Sequence, residues 1–421
     1  MRGSSFDQAY DSVDEIQISP AIDGLLDKLR SWFSYYLLAT PVIWAYGHTS
    51  VKRFKRRKKK LVKSGTAFVS KLQTFLGCGT RPWMDGYFVF TSLLAEEEFY
   101  LISLPMLIWN VDYLFGRYMT LLVCGSLIAG NMLKDVFKLP RPSRHLVWIP
   151  PVMSSIDSTA ARDFGFPSTH AMNALSNPLF TLLYVYYRPG GDAVAFPYLY
   201  TVLLGVFWFL SITVGRMCLG VHSPTDLRGG IILGVITAIM WHYFADDYEA
   251  WTMSADLLGV KVILMAIAIL VLNPQNRPLT PTFLQNVLLA GLMVGCTIGS
   301  RCHFDKNFLG YEVDSNANKG RLLDLGSILE SAPPIALHTV RVIVGYTVVL
   351  AARAVCKILV TQFIKLFGID PSPKGRVLKG WDLFAAAFVK FNVYMLIAFL
   401  ITFVCPLVFD SLNMSTPASN M

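Results

Sequence analysis

Three short stretches of this chain carry the residue types needed to hold a phosphate monoester and cut it. The first is Lys134-Asp-Val-Phe-Lys-Leu-Pro-Arg141-Pro142, the second Phe166-Pro167-Ser168-Thr169-His170, and the third Gly215-Arg216-Met-Cys-Leu-Gly-Val-His222-Ser-Pro-Thr-Asp226. Lys134, Arg141 and Arg216 are fixed cations; His170, His222, Ser168 and Asp226 are groups that move protons, attack or orient. Phosphoryl transfer from a monoester passes through a loose transition state with charge on the equatorial oxygens, so catalysis is mainly positioning and cation stabilisation. Arginine forks hold such oxygens bidentately. The motifs contain no Asp/Glu cluster of the kind that binds Mg²⁺, so the cations take that role, and neither a metal nor another cofactor is expected.

Each group has an assignable part. His222 is the candidate nucleophile, attacking phosphorus to form a phosphohistidine. Asp226, four residues on, is expected to bond the other imidazole nitrogen and fix tautomer and orientation. His170 is the candidate general acid for the departing alkoxide. Ser168 and Thr169 open an apolar helix whose free N–H groups suit an anion, and both join Lys134, Arg141 and Arg216 as phosphate-binding candidates. Structural readings compete. Ser168 fits an N-cap, and His170 fits a satisfied interfacial histidine. Lys134, Lys138 and Arg141 fit a basic helix end snorkelling to headgroups. Ser223-Pro-Thr-Asp226 is also a capping-box pattern with proline at the first helical position. Pro140 and Pro142 should end the helix carrying Lys134 and turn Arg141 inward.

The elements that position these residues must lie in a membrane. Only 15% of the 421 residues are charged and 54% are apolar, with a mean hydropathy of +0.48, whereas soluble domains carry about 25% charged residues. A bilayer span needs about 20 mostly apolar residues. Nine stretches qualify fully or nearly: about 86–110, 117–138, 168–187, 196–215, 227–245, 257–273, 283–300, 336–360 and 384–409. All should be helices, because lipid offers open sheet edges no partners. The expected fold is therefore an all-α, polytopic integral membrane bundle of about nine to ten transmembrane helices. Its expected divisions are an N-terminal tail (1–80), a catalytic helical core (86–245), C-terminal transmembrane helices (246–410) and a tail (411–421). The aromatic stretch 32–47, broken by Pro41, fits the interface better than a span, and 66–80 looks amphipathic and interfacial. No secretory signal is visible in the first thirty residues. Counting crossings puts Lys134, Ser168, Arg216 and Asp226 on one membrane face.

Taken together and in order, the three motifs resemble the type 2 phosphatidic acid phosphatase superfamily, whose pattern is Lys-x6-Arg-Pro, Pro-Ser-Gly-His and Ser-Arg-x5-His-x3-Asp. The resemblance covers roughly residues 86–245. Two positions depart from it: Thr169 replaces a usual glycine and Gly215 a usual serine. Pro167-Ser-Thr-His-Ala-Met172, with Phe99-Tyr100 and Ile108-Trp109-Asn110-Val111-Asp112 upstream, is similar to the sphingosine-1-phosphate (long-chain base phosphate) phosphatase branch. The resemblance implies metal-independent dephosphorylation in the endoplasmic reticulum membrane. It assigns phosphate binding to Lys134, Arg141, Ser168 and Arg216, acid catalysis to His170, nucleophilic attack to His222 and its support to Asp226. Phosphatidic acid or a polyprenyl diphosphate is an alternative substrate, and a non-enzymatic lipid-binding or transport role on the same fold an alternative class.

Partners follow from the same reading: a lipid phosphate substrate and membrane lipids. The net charge is +9, and nine of the twelve residues from Lys52 to Lys63 are basic. In this context that run suits anionic headgroups and not nucleic acid. Oligomeric state stays open, a homodimer included. So does orientation: the basic segments 52–63 and 374–379 argue for a cytosolic site, the resemblance for a lumenal one. Ionisable residues within spans are functional candidates. Among Glu96, Glu97 and Glu98, one could face the site and receive a substrate amine, or pair structurally with an Arg or Lys; Arg341, Arg353, Lys357 and Lys390 could pair with them or snorkel. The seven cysteines are scattered and form no zinc spacing; Cys302 falls in an expected loop near Cys296. Asn413-Met-Ser415 is a sequon.

Overall fold

A computed structural model of the protein describes residues 51–143, 145–151, 164–187, 198–274, 280–305, 334–369, 380–412 and 414. The stretch 32–47, the basic segment 374–379, Asn413 and most of the 301–335 connection lie outside the described residues. The helices, in chain order, are α1 (Val51–Leu76), α2 (Pro82–Leu93), α3 (Glu97–Asn110), α4 (Tyr113–Phe137), α5 (Thr169–Tyr187), α6 (Tyr198–Cys218), α7 (Pro224–Ser254), α8 (Leu258–Leu272), α9 (Pro281–Phe304), α10 (Pro334–Lys365), α11 (Gly380–Phe399) and α12 (Cys405–Ser411), with a π-helical stretch, Leu400–Val404, joining the last two. Among the described residues the one β feature is an isolated bridge between Leu139 and Phe166.

Six helices among the described residues are long and apolar enough to cross a membrane: α4, α6, α7, α9, α10, and α11 continued into α12. Three of the nine expected spans differ. The 86–110 stretch is two helices, α2 and α3, because the chain breaks before three successive acids; Glu96 has an extended backbone (φ −81°, ψ 163°) and caps α3. Helix α5 is only weakly apolar, yet Asn173 and Ser176 are almost wholly buried, so its polar face meets protein. Helix α8 has 15 residues, about 22 Å of rise against a hydrocarbon core of about 30 Å.

Burial sets the layering. Helices α4 and α9 are the inner pair, and α10 is mostly exposed along its apolar length. The main core joins Tyr100, Ile108, Trp109 and Tyr113 to Leu289, Leu292, Ile397 and Phe409. Two carbonyls of the π-helical stretch take side-chain donors from other helices: Trp109 Nε1 donates to Ile401 O at 3.0 Å and Tyr113 Oη to Thr402 O at 2.7 Å. Cys302 lies buried in the last turn of α9, not in a loop, and the seven cysteines are free thiols.

The basic run and the 66–80 segment, read separately in the sequence, mostly share one amphipathic helix, α1. Its buried positions, Thr66, Val69 and Gln73, recur at helical spacing. They face the connections that carry the motifs: Ser143 N donates to Thr66 Oγ1 at 3.2 Å, and Lys58 Nζ donates to Phe137 O at 2.5 Å.

Candidate active site

The first motif sits where α4 ends. Lys134 is buried in its last turn. Lys138 takes a left-handed conformation (φ 51°) and stops the helix before Pro140, as the prolines require. The chain then runs extended. Leu139 bridges Phe166, and Gly165 N donates to Leu139 O at 2.7 Å, so the first motif is zipped to the second. Arg141 is thereby brought under the third motif, its Nη1 donating to Val221 O at 3.3 Å.

Ser168 is fully buried at the start of α5. Its Oγ accepts from Ala171 N at 3.3 Å, and its own N–H donates to Asp226 O at 3.0 Å. The cap expected for Ser168 is present, and it also ties α5 to α7. Close backbone packing fixes that pair: a Cβ added at Gly234 of α7 would lie 2.6 Å from Met172 O. Thr169 packs its methyl on Gly130 of α4, where an added Cβ would come within 2.6 Å of Cγ2.

The third motif turns sharply between α6 and α7. The N–H groups of Val221 and His222 both donate to Arg216 O, at 3.2 and 3.3 Å. Gly220 permits this with φ +71°; a Cβ there would also meet Trp148 O at 2.6 Å. Ser223 caps α7 in a full capping box: Asp226 Oδ2 accepts from Ser223 N at 2.7 Å, and Asp226 N donates to Ser223 Oγ at 3.4 Å. Gly215 faces α2, with Phe88 and Thr91 at 3.2 and 3.4 Å from an added Cβ.

The eight expected residues thus lie close together, and their geometry is specific. The rings of His170 and His222 lie 6.2 Å apart between centroids. His222 Nδ1 is 3.7 Å from Asp226 Oδ2, adjacent but outside hydrogen-bonding distance; the bond expected there is not made, because that oxygen is held by the helix cap. Neither ring nitrogen of His222 nor Asp226 Oδ1 has a hydrogen-bond partner among the described residues. Burial, then the nearby Arg141 and Arg216 guanidinium groups, hold the His222 imidazole well below its ordinary pKa, so the ring is neutral and keeps a lone pair. Lys134 is within electrostatic reach of both histidines and of Asp226.

Three residues outside the motifs complete the site. Glu96 places Oε1 3.0 Å from His170 Nε2 and 3.3 Å from Arg216 Nη1. Ser92 Oγ accepts from Arg216 Nη1 at 2.6 Å. Gln73 is a triple clasp: Nε2 donates to Trp148 O and Cys218 O, both at 2.8 Å, and Oε1 accepts from Trp148 N at 2.9 Å. Glu96 was legible as an acid in an apolar stretch; Ser92 and Gln73 gave no such signal. Among the described residues no group of three or more His, Cys, Asp or Glu side chains is arranged to hold a metal ion.

Residues 115–249 match the PAP2 superfamily, and every motif residue above falls inside that domain. The chain is 27% identical over 259 residues to a dihydrosphingosine 1-phosphate phosphatase of Schizosaccharomyces pombe, a match covering 61% of each protein. It is 26% identical over 372 residues to a Dictyostelium discoideum protein named "Probable sphingosine-1-phosphate phosphatase", covering 83% of this chain and 87% of that one. A third relative, sphingosine-1-phosphate phosphatase 2 of Mus musculus, is 28% identical over half of this chain and 57% of its own length. The chain therefore spans about three fifths of the yeast and mouse relatives it matches. No solved structure gives a significant match.

Proposed function

We propose that the protein is a lipid phosphate phosphatase that releases inorganic phosphate from sphingosine 1-phosphate or a related long-chain base phosphate, in the endoplasmic reticulum membrane. The observation that carries this reading is the cluster of Lys134, Arg141 and Arg216 around a buried, neutral His222, with a second imidazole 6.2 Å away. The cations would hold the equatorial oxygens. A ring nitrogen of His222 would attack phosphorus as the ester P–O bond breaks, and His170, protonated when the bound phosphate and Glu96 together offset its burial, would give its proton to the departing alkoxide. Water would then attack the phosphohistidine, losing a proton to His170, and phosphate would leave with His222 restored. Asp226, whose Oδ2 lies 3.7 Å from His222 Nδ1 and whose Oδ1 has no partner among the described residues, would take the imidazole N–H after a small closing movement. The names of the relatives support the long-chain base as substrate.

The test uses the full chain purified in detergent, with phosphate release measured from sphingosine 1-phosphate, phosphatidic acid and a polyprenyl diphosphate. His222→Ala is expected to lower the rate on the first by about a thousandfold or more, and the labelled phosphoenzyme should disappear with it. A His222→Ala protein as fast as wild type would sink the mechanism. Faster wild-type turnover of either other lipid would reassign the substrate.

A further inference from the structure

A cleft lies beside the phosphate site, between α3, α4, α9 and α11. Its walls are apolar, drawn from Leu104, Cys124, Leu127, Leu289, Leu292 and Ala398, and its empty volume is about 770 Å³, part of it open to the outside. Helix α3 lines it from Glu97 to Ile108, a run of about 16 Å at helical rise. The end near the phosphate site is acidic, with Glu97 and Glu98 in the wall.

Glu97 is the informative residue. Its Oε1 is buried and has no hydrogen-bond partner among the described residues, and a buried carboxylate oxygen left unmatched is costly. The carboxyl group is within electrostatic reach of Glu98 and Glu96 beside it and, more weakly, of Lys134 and Lys390, and Lys134 also reaches His170 and His222. The preceding residue, Glu96, contacts His170 and Arg216. Successive Cα atoms are about 3.8 Å apart. One peptide unit therefore carries a carboxylate to the phosphate site and another to the head of an apolar cleft.

We infer that the cleft takes the hydrocarbon chain of a single-chain amino lipid phosphate, and that Glu97 accepts the ammonium borne on the carbon next to the phosphate ester. The inference rests on the phosphatase reading above and adds the residue that distinguishes amine-bearing substrates. An ammonium brings three donors and a positive charge to the acceptor that lacks a partner. The apolar walls accept a chain with no polar group to satisfy.

The experiment compares kcat/KM of the purified full chain on sphinganine 1-phosphate and on its N-acetyl derivative, which keeps phosphate and chain but loses the charge. Wild type should favour the amine, and Glu97→Gln should shrink that preference by roughly ten- to a hundredfold, the range of a charged hydrogen bond. A preference that survives Glu97→Gln overturns the role of Glu97. A second variant, Leu292→Trp, fills the cleft and should slow a long-chain amino phosphate at least tenfold more than a short-chain one; equal losses overturn the chain assignment. Wild-type protein that cleaves none of these lipids fails the phosphatase reading itself, a result distinct from both.

Discussion

Thr169 and Gly130 fit each other across the α4–α5 contact, and the pair explains a departure that the motif alone left bare. A methyl at position 130 would meet Thr169 Cγ2 at 2.6 Å, so Gly130→Ala should cost about 1–3 kcal/mol by overpacking and displace the N-terminus of α5. Adding Thr169→Gly should recover most of that loss, a coupling read by a double-mutant cycle of melting temperature and phosphate release. His222 makes a second prediction at this scale. Its folded pKa is depressed below the unfolded value of about 6.5, so as pH falls through that value the unfolded chain binds the proton first. Stability is therefore full above this range and declines below it. Melting in detergent should fall between pH 7.5 and pH 5.5, and fall less in His222→Asn.

Helix α1 carries none of the motif residues, yet it holds the connections that do. Replacing Gln73 with leucine would leave Trp148 O and Cys218 O without their donor, at about 1–3 kcal/mol each. Gln73→Leu should lower both melting temperature and kcat, because Cys218 stands two residues from Arg216. The contrast with the motifs marks what a sequence reveals. Lys134, His170, His222 and Asp226 were legible because phosphoryl chemistry restricts residue type and spacing, and α4, α9 and α11 because lipid demands long apolar runs. Gln73 looked like any polar residue on an amphipathic face; its value comes from two carbonyls 75 and 145 residues away in sequence. The α2–α3 break was hidden for a similar reason: hydropathy averages over Glu96, whose partners Arg216 and His170 belong to other helices. The double duty of Asp226 was visible as two competing patterns, and geometry shows the cap made and the imidazole contact still 3.7 Å open.

Across the whole molecule, α4 is anchored at both ends. Lys134 and Asp135 lie at the site end, where Asp135 accepts from Thr280 at 2.9 Å and Thr282 at 2.7 Å. About 26 Å away along the helix, Arg117 pairs with Glu249 of α7 in a nearly dry setting, with Thr252 3.3 Å from Arg117 Nη2. Removing one charge of such a pair costs about 3–5 kcal/mol, while an apolar replacement of both is far milder. Glu249→Gln should therefore lower melting temperature sharply, and Arg117→Met with Glu249→Leu should restore much of it without changing KM. The π stretch at Leu400–Val404 has a different consequence. Its carbonyls are claimed by Trp109 and Tyr113, one ahead of the 115–249 segment on the chain and the other at its threshold. A chimera built by transplanting 115–249 into a foreign bundle would carry every motif but lose both the clasp on its entry loop and the far wall that α11 supplies. The chemistry is written in one segment of this chain, but the segment is not a portable cassette.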